Sequence, residues 1–139
     1  MFENLTSFLP KLQDGDYGEW IVDKENDGTP EHPIHFPFVA YDRIVRDFMD
    51  ATYDFIDTHK KMELTRYHDI LSESNIEWGS ESMKHADVAS LDGRTVMALI
   101  VGAIRADRFC EGALLGLFED GSIAKWLSRL EEIDQETNL

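Results

Sequence analysis

The nine residues 96–104 read VMALIVGAI and contain no charged side chain, and with their flanks they predict a helix over Gly93–Ala106 that has almost no polar side. A helix that is apolar all round must be buried, so the rest of the chain has to supply neighbours for every face of it. Asp92 is placed to cap its first turn. Gly102, about 1 kcal/mol worse than alanine in a helix interior, predicts a close approach of another backbone. Two further helical patterns follow at short joints. One spans residues 109–119 and presents Cys110, Leu114, Leu117 and Phe118; Gly121 ends it, and Ser122 is placed to cap a last helix with Ile123, Trp126, Leu127, Leu130 and Ile133 inward.

Upstream, the patterns are shorter. Phe2, Leu5, Phe8, Leu9 and Leu12 fall at helical spacing, with Pro10 against a long helix. Residues 19–22, rich in strand formers, predict one strand of a hairpin. Its partner lies within residues 34–41, with the Asn26-Asp27-Gly28 turn signal between and Pro30, Pro33 and Pro37 restricting the second strand to an edge. From Tyr41 to Thr58 the period changes to 3.6, burying Tyr41, Val45, Phe48, Thr52, Phe55 and Ile56 and setting Arg43 with Asp47 and Arg46 with Asp50 as i,i+4 pairs. Residues 62–74 predict another helix with Leu64, Tyr67, His68 and Leu71 inward, stopped by Asn75, and one helical turn is expected within residues 83–88. The expectation is a mainly α, α+β chain: one compact helical domain over 1–139 with a small N-terminal β-hairpin. Its parts are an N-terminal helix and hairpin (1–41), two helices and a linker (42–89), a three-helix core (90–133) and a tail (134–139).

Charge and cysteine usage narrow the function classes. The net charge is −15, and it is uneven: residues 1–33 and 34–93 carry −6 each, residues 94–130 carry +1 and the tail −4. Such a field repels phosphate backbones and anionic lipid, so neither nucleic acid bound through a basic face nor a membrane is an expected partner. Cys110 is the single cysteine, which leaves no internal disulfide and no paired-cysteine metal motif, and fits a cytoplasmic setting. No apolar run reaches transmembrane length. His32, His35, His59, His68 and His85 have no zinc-ligand spacing, and Asp50, Asp54 and Asp57 with His59 read as a solvated helix face, so no metal or other cofactor is expected. Nucleotide-binding glycine loops and hydrolase nucleophile motifs are also lacking.

The block RADRFCEGALLGLFEDGSIAKWLSRL, with YHDILSESNIEW and SLDGRTVMALIVGAI before it, resembles an uncharacterised bacterial family classed as a domain of unknown function. The resemblance covers roughly residues 60–130 and centres on an R-x-[ED]-R-F-C-[ED]-G-x-L junction, matched by Arg105, Asp107, Arg108, Phe109, Cys110, Glu111, Gly112 and Leu114. It implies a shared helical fold and brings no activity. Within this junction Cys110 falls on the apolar side of the expected helix, as a small buried hydrophobe, although Arg108 beside it and a helix start would favour a thiolate. Arg105, Arg108 and Glu111, the candidate ligand-binding residues for a small anion, read first as a clamp in which Arg108 pairs with Asp107, Glu111 or helix-end carbonyls. The functional expectation is a non-enzymatic interaction or regulatory module with a protein partner. The alternatives are an anion-binding protein or enzyme using that junction and an acidic mimic of DNA. A homodimer is expected on the ground that so apolar a central helix exceeds what its own chain can cover.

Overall fold

The computed structural model describes residues 1–22, 28–31, 33 and 36–137, apart from the side chains of Gln13 and Asp14. Seven α-helices occur among the described residues: α1 (Glu3–Thr6), α2 (Arg43–Thr58), α3 (Tyr67–Glu73), α4 (Ser80–Lys84), α5 (Gly93–Ala106), α6 (Ala113–Glu119) and α7 (Ser122–Thr137). Short 3-10 turns join several of them. Strands β1 (Gly18–Ile21) and β2 (Phe38–Tyr41) pair antiparallel, with Gly18 opposite Tyr41, Trp20 opposite Val39 and Ile21 opposite Phe38. The fold is mainly α with one small hairpin. Of the expected turn and second strand, Asn26, Asp27, Ile34 and His35 lie outside the described residues, as does His32.

Helix α5 is the centre. From Thr95 to Ile104 every residue is buried, and α3, α6, α7, α2 and α4 all pack on it. Its boundaries follow from local chemistry: Asp92, in an extended conformation, accepts the Thr95 backbone N–H at 2.9 Å, satisfying one of the donors that open the helix. The cover comes from this chain, so the stated ground for a homodimer, a central helix left bare, does not hold. Gly102 differs from expectation in a similar way. What approaches it is side chain rather than backbone: a Cβ there would stand 3.3 Å from Met83 Cε, 3.3 Å from Trp78 Cδ1 and 3.5 Å from Leu71 Cδ1. The Trp78 indole N–H also donates to the Gly102 carbonyl at 3.0 Å, so the missing methyl makes room for a ring that is then hydrogen-bonded in place.

The flanking helices bury the stripes their periodicity implies. Val45, Phe48, Thr52 and Phe55 of α2 and Ile123, Trp126, Leu127 and Leu130 of α7 are buried, while Ile56 and Ile133 are half-buried. Arg43 reaches Asp47 at 3.6 Å, whereas no such contact links Arg46 to Asp50. The expected helix over 62–74 is broken. Two 3-10 turns, Lys60–Met62 and Leu64–Arg66, precede α3, with Glu63 between them at φ 53°, and the resulting phase change turns His68 out to solvent and brings Ile70 in beside Leu71. Asn75 stops α3 as its sequence suggests, at φ 59°, with Ile76 N–H returning to the Leu71 carbonyl at 2.9 Å. Helix α4 starts earlier than the expected turn. At α7 the capping role passes from Ser122, which is already helical, to Asp120, whose carboxylate accepts the Ser122 N–H at 2.9 Å.

The Asp92 cap generates a pH-dependent prediction. Hydrogen bonding from Thr95 holds the Asp92 carboxyl below the ordinary aspartate value, against the opposing pull of partial burial. A lowered folded-state pKa contributes stability that is fully present above the unfolded pKa of about 3.9 and is lost as pH falls through the folded value. Urea unfolding should therefore find Asp92→Ala about 1 kcal/mol less stable than wild type at neutral pH. The difference should shrink below about pH 4.

Candidate functional site

The junction between α5 and α6 is where the hairpin meets the helical body, and two carboxylates make the connection. Asp107 follows the last turn of α5. Its Oδ1 accepts the Tyr41 hydroxyl at 2.7 Å and the backbone N–H groups of Gly112 and Leu114, each at 3.1 Å. The Tyr41 oxygen in turn accepts the Leu115 N–H at 3.1 Å, so two groups together satisfy three donors around the start of α6. Burial, and then the hydrogen bond to Asp107, push the Tyr41 phenol well above its ordinary range, keeping it a neutral donor. Glu111 accepts the Val39 N–H at 2.8 Å, which holds β2 against the junction from the side.

Gly112 completes the contact. It sits at φ +88°, and a Cβ built on it would lie 2.3 Å from Trp20 Cζ2, so the indole rests where any side chain would stand. Both the left-handed conformation and the space demand glycine here. The consequence for the junction is direct: residues 108–112 form a turn, α6 starts at Ala113 rather than at Phe109, and Arg108, Phe109, Cys110 and Glu111 all lie outside the helix and exposed. Cys110 is thus on the surface, not on a buried apolar face, and it does not open a helix. Its burial was expected from a helical period that in the structure begins four residues later, at Ala113.

The three candidate ligand residues have separate engagements. Arg105 lies with its guanidinium carbon 5.8 Å from the centre of the Tyr53 ring. Glu111 is held by Val39 N–H. The exposed Arg108 side chain has no ion pair or hydrogen bond among the described residues. The clamp expected through Arg108 is therefore not formed; the junction is held instead by Asp107 and Glu111, which accept N–H and O–H donors of the hairpin and α6. Sequence reasoning passed over Trp20, Val39 and Tyr41 as members of this site. Tyr41 was visible only as the first residue of a helical stripe, and nothing local ties a hairpin to a turn some 70 residues away.

A different set of residues is left facing outward. Among the described residues the exposed large hydrophobic side chains are Met1, Trp20, Ile21, Val22, Phe36, Phe38 and Phe109, so all but Met1 belong to the hairpin segment or the junction beneath it. Phe36 and Phe109 are 90 % and 78 % exposed. Ile21 and Phe38, opposite each other in the ladder, share the face turned away from the one that carries Trp20 and the buried Val39. No group of three or more His, Cys, Asp or Glu side chains among the described residues is arranged to hold a metal ion. None of their helices is long and apolar enough to cross a membrane.

The arrangement defines a class before it defines a chemistry: a mainly α domain whose small hairpin is tied by carboxylates to the corner of a buried helix. The chain belongs to DUF6508, a family of unknown function, whose sequence profile matches residues 1–136 and so takes in the hairpin as well as the helices. Comparison with curated proteins and with solved structures gives no match.

Substitutions at the junction should separate the carboxylates from the arginines. Asp107→Ala removes an acceptor shared by three donors and should destabilise the fold by about 3 kcal/mol, while Tyr41→Phe, which strands the Leu115 N–H, should cost about 1–2 kcal/mol. Arg108→Ala should melt within about 0.5 kcal/mol of wild type, as surface substitutions do. Equal losses in Asp107→Ala and Arg108→Ala would contradict this assignment.

Proposed function

We propose that this chain works by binding, as a non-enzymatic interaction or regulatory module, and that the outward face of its hairpin together with Phe109 is the surface it offers. The carrying observation is that, among the described residues, the exposed large apolar groups other than Met1 belong to the hairpin segment or the junction beneath it, with Ile21 and Phe38 side by side on the outward face. Scattered apolar residues are ordinary on a surface; a cluster on a hairpin fixed to the body through Asp107 and Glu111 supports an interface.

The occupant that best fits is another protein whose apolar side chains are interspersed with basic ones. Residues 16–42 carry seven acids and one base, so a partner strand of opposite charge is steered toward the hairpin, while a second copy of this chain brings like charge against like. A homodimer through the same face is the competing outcome. A cytoplasmic setting belongs to the proposal as well, supported by the lone exposed thiol of Cys110, which a reducing compartment keeps free. The anion-binding alternative would rest on Arg108 alone among the three candidates, because Arg105 and Glu111 are otherwise engaged.

Phe38→Ser and Phe109→Ser remove exposed rings and should leave the protein folded, with a loss of about 1 kcal/mol at Phe109, whose ring meets Trp78 edge-on. A protein recovered with the wild type from native lysate should be lost with either variant and weakened by salt. Recovery unchanged in both variants would overturn the proposed surface. Sedimentation giving a dimer that Phe38→Ser dissolves would replace the heterologous partner with a second copy.

A further inference from the structure

A second feature, which adjoins the proposed surface through Phe109, lies between the outer side of α3 and the segment that follows it. His68 and Ser72, one turn apart on α3, face Asn75, Ile76, Glu77 and Trp78 across an open cleft of about 550 Å³. Its aromatic wall is extended: the Trp78 ring meets His68 at 5.1 Å and 55°, Tyr67 at 5.9 Å and 59°, and the edge of Phe109 at 5.5 Å and 89°. The indole N–H already donates to the Gly102 carbonyl, so what Trp78 has left to offer a ligand is its π surface. Trp78 is seated against α5, in the space that the absent Cβ of Gly102 leaves for its ring.

The one carboxylate or permanent charge in the lining of this cleft is negative. Glu77 is the only acidic or permanently basic side chain in its lining, and it has no ion pair or hydrogen bond among the described residues. Arg66 is paired with Glu63 at 3.0 Å and Asp69 at 3.3 Å, Arg105 lies over Tyr53, and the exposed Arg108, next in sequence to Phe109, is not part of the lining. An anion entering here would meet a carboxylate and the quadrupoles of ring faces with no lysine or arginine in the lining to offset them. A cation would meet attraction from both.

From these contacts we infer that the cleft between α3 and Trp78 is a binding site for an organic cation, an alkylated ammonium or a guanidinium, held against the Trp78 and His68 rings with Glu77 as its counter-charge. The cation can be a small molecule or the end of a lysine or arginine side chain; the chemistry of recognition is the same. Rings supply a weakly hydrated cation with contact area that water does not, and the exposed carboxylate adds attraction that salt screens.

Two cationic probes and an uncharged one test the site by NMR at about pH 8, where an ordinary imidazole is neutral. Tetramethylammonium and the amide of N-acetylarginine should each produce saturable shifts at the Trp78 indole N–H and the His68 ring protons, the tighter of the two telling free ammonium from guanidinium side chain. 3,3-Dimethylbutanol, similar in shape to a quaternary ammonium but uncharged, should bind at least several-fold more weakly. His68→Ala and Glu77→Gln change exposed groups, so folding is retained, and each should weaken the cation by about two- to fivefold. Equal binding of the neutral probe, shifts that never saturate, or unchanged affinity in both variants would each overturn the assignment.

Discussion

Everything in this fold follows from the need to cover α5 on all sides. From Val96 to Ile104 its exposure does not exceed 3 % for any apolar residue, and no single neighbour could achieve that, since one packed helix covers little more than a third of another's circumference. The chain meets the demand with a ring of elements drawn from both sides of the sequence: α3 and α4 before it, α6 and α7 after it, and α2 closing the remainder. A helix enclosed in this way has polar surroundings only at its ends. The chain accordingly places an acid at each, Asp92 to receive Thr95 N–H at the start and Asp107 to receive the N–H groups that open α6 at the finish.

Placing the core in the least charged part of the chain pushes the acid outward. Residues 94–130 are close to neutral while those before them carry most of the −15, so the acidic excess lies in the enclosing layer and the hairpin rather than near α5. Self-repulsion of such a layer is a cost to the compact state and a gain in solubility. Against that background the exposed apolar face of the hairpin and the aromatic wall at Trp78 stand out, because both interrupt an otherwise well-solvated acidic surface. Their supports are different. The hairpin is held through hydrogen bonds to two carboxylates, and Trp78 is held by packing into the gap left at Gly102.

What was legible in the sequence was whatever a few consecutive residues decide. The limits of α5, its Asp92 cap, the stop at Asn75 and the inward stripes of α2 and α7 depend on periods and caps that act within one or two turns. The hairpin was legible as an element, and its register was not, since pairing Trp20 with Val39 depends on what lies under them. His68 was misplaced because Glu63 takes a left-handed conformation that resets the helical phase, and no breaker residue announces it. Cys110 was misplaced for a related reason. Gly112 was read as an ordinary member of a helix, whereas its positive φ and the indole of Trp20 against it make it the end of a turn.

The roles of arginine and aspartate at the junction show why charge type alone misleads there. A short turn between helices leaves mostly donors wanting partners: the first N–H groups of the following helix, and here the outward N–H of an edge strand as well. Donors are satisfied by acceptors, and an arginine has none to give. A guanidinium in this turn could serve only by finding carbonyls or carboxylates, and the two nearby carboxylates are turned to other donors, Asp107 to Tyr41, Gly112 and Leu114 and Glu111 to Val39. Arg108 pairs with neither and is exposed. The residue types that look most like a ligand site in the sequence are therefore divided by the fold into two groups, carboxylates that join the hairpin to the body and a cation left at its rim.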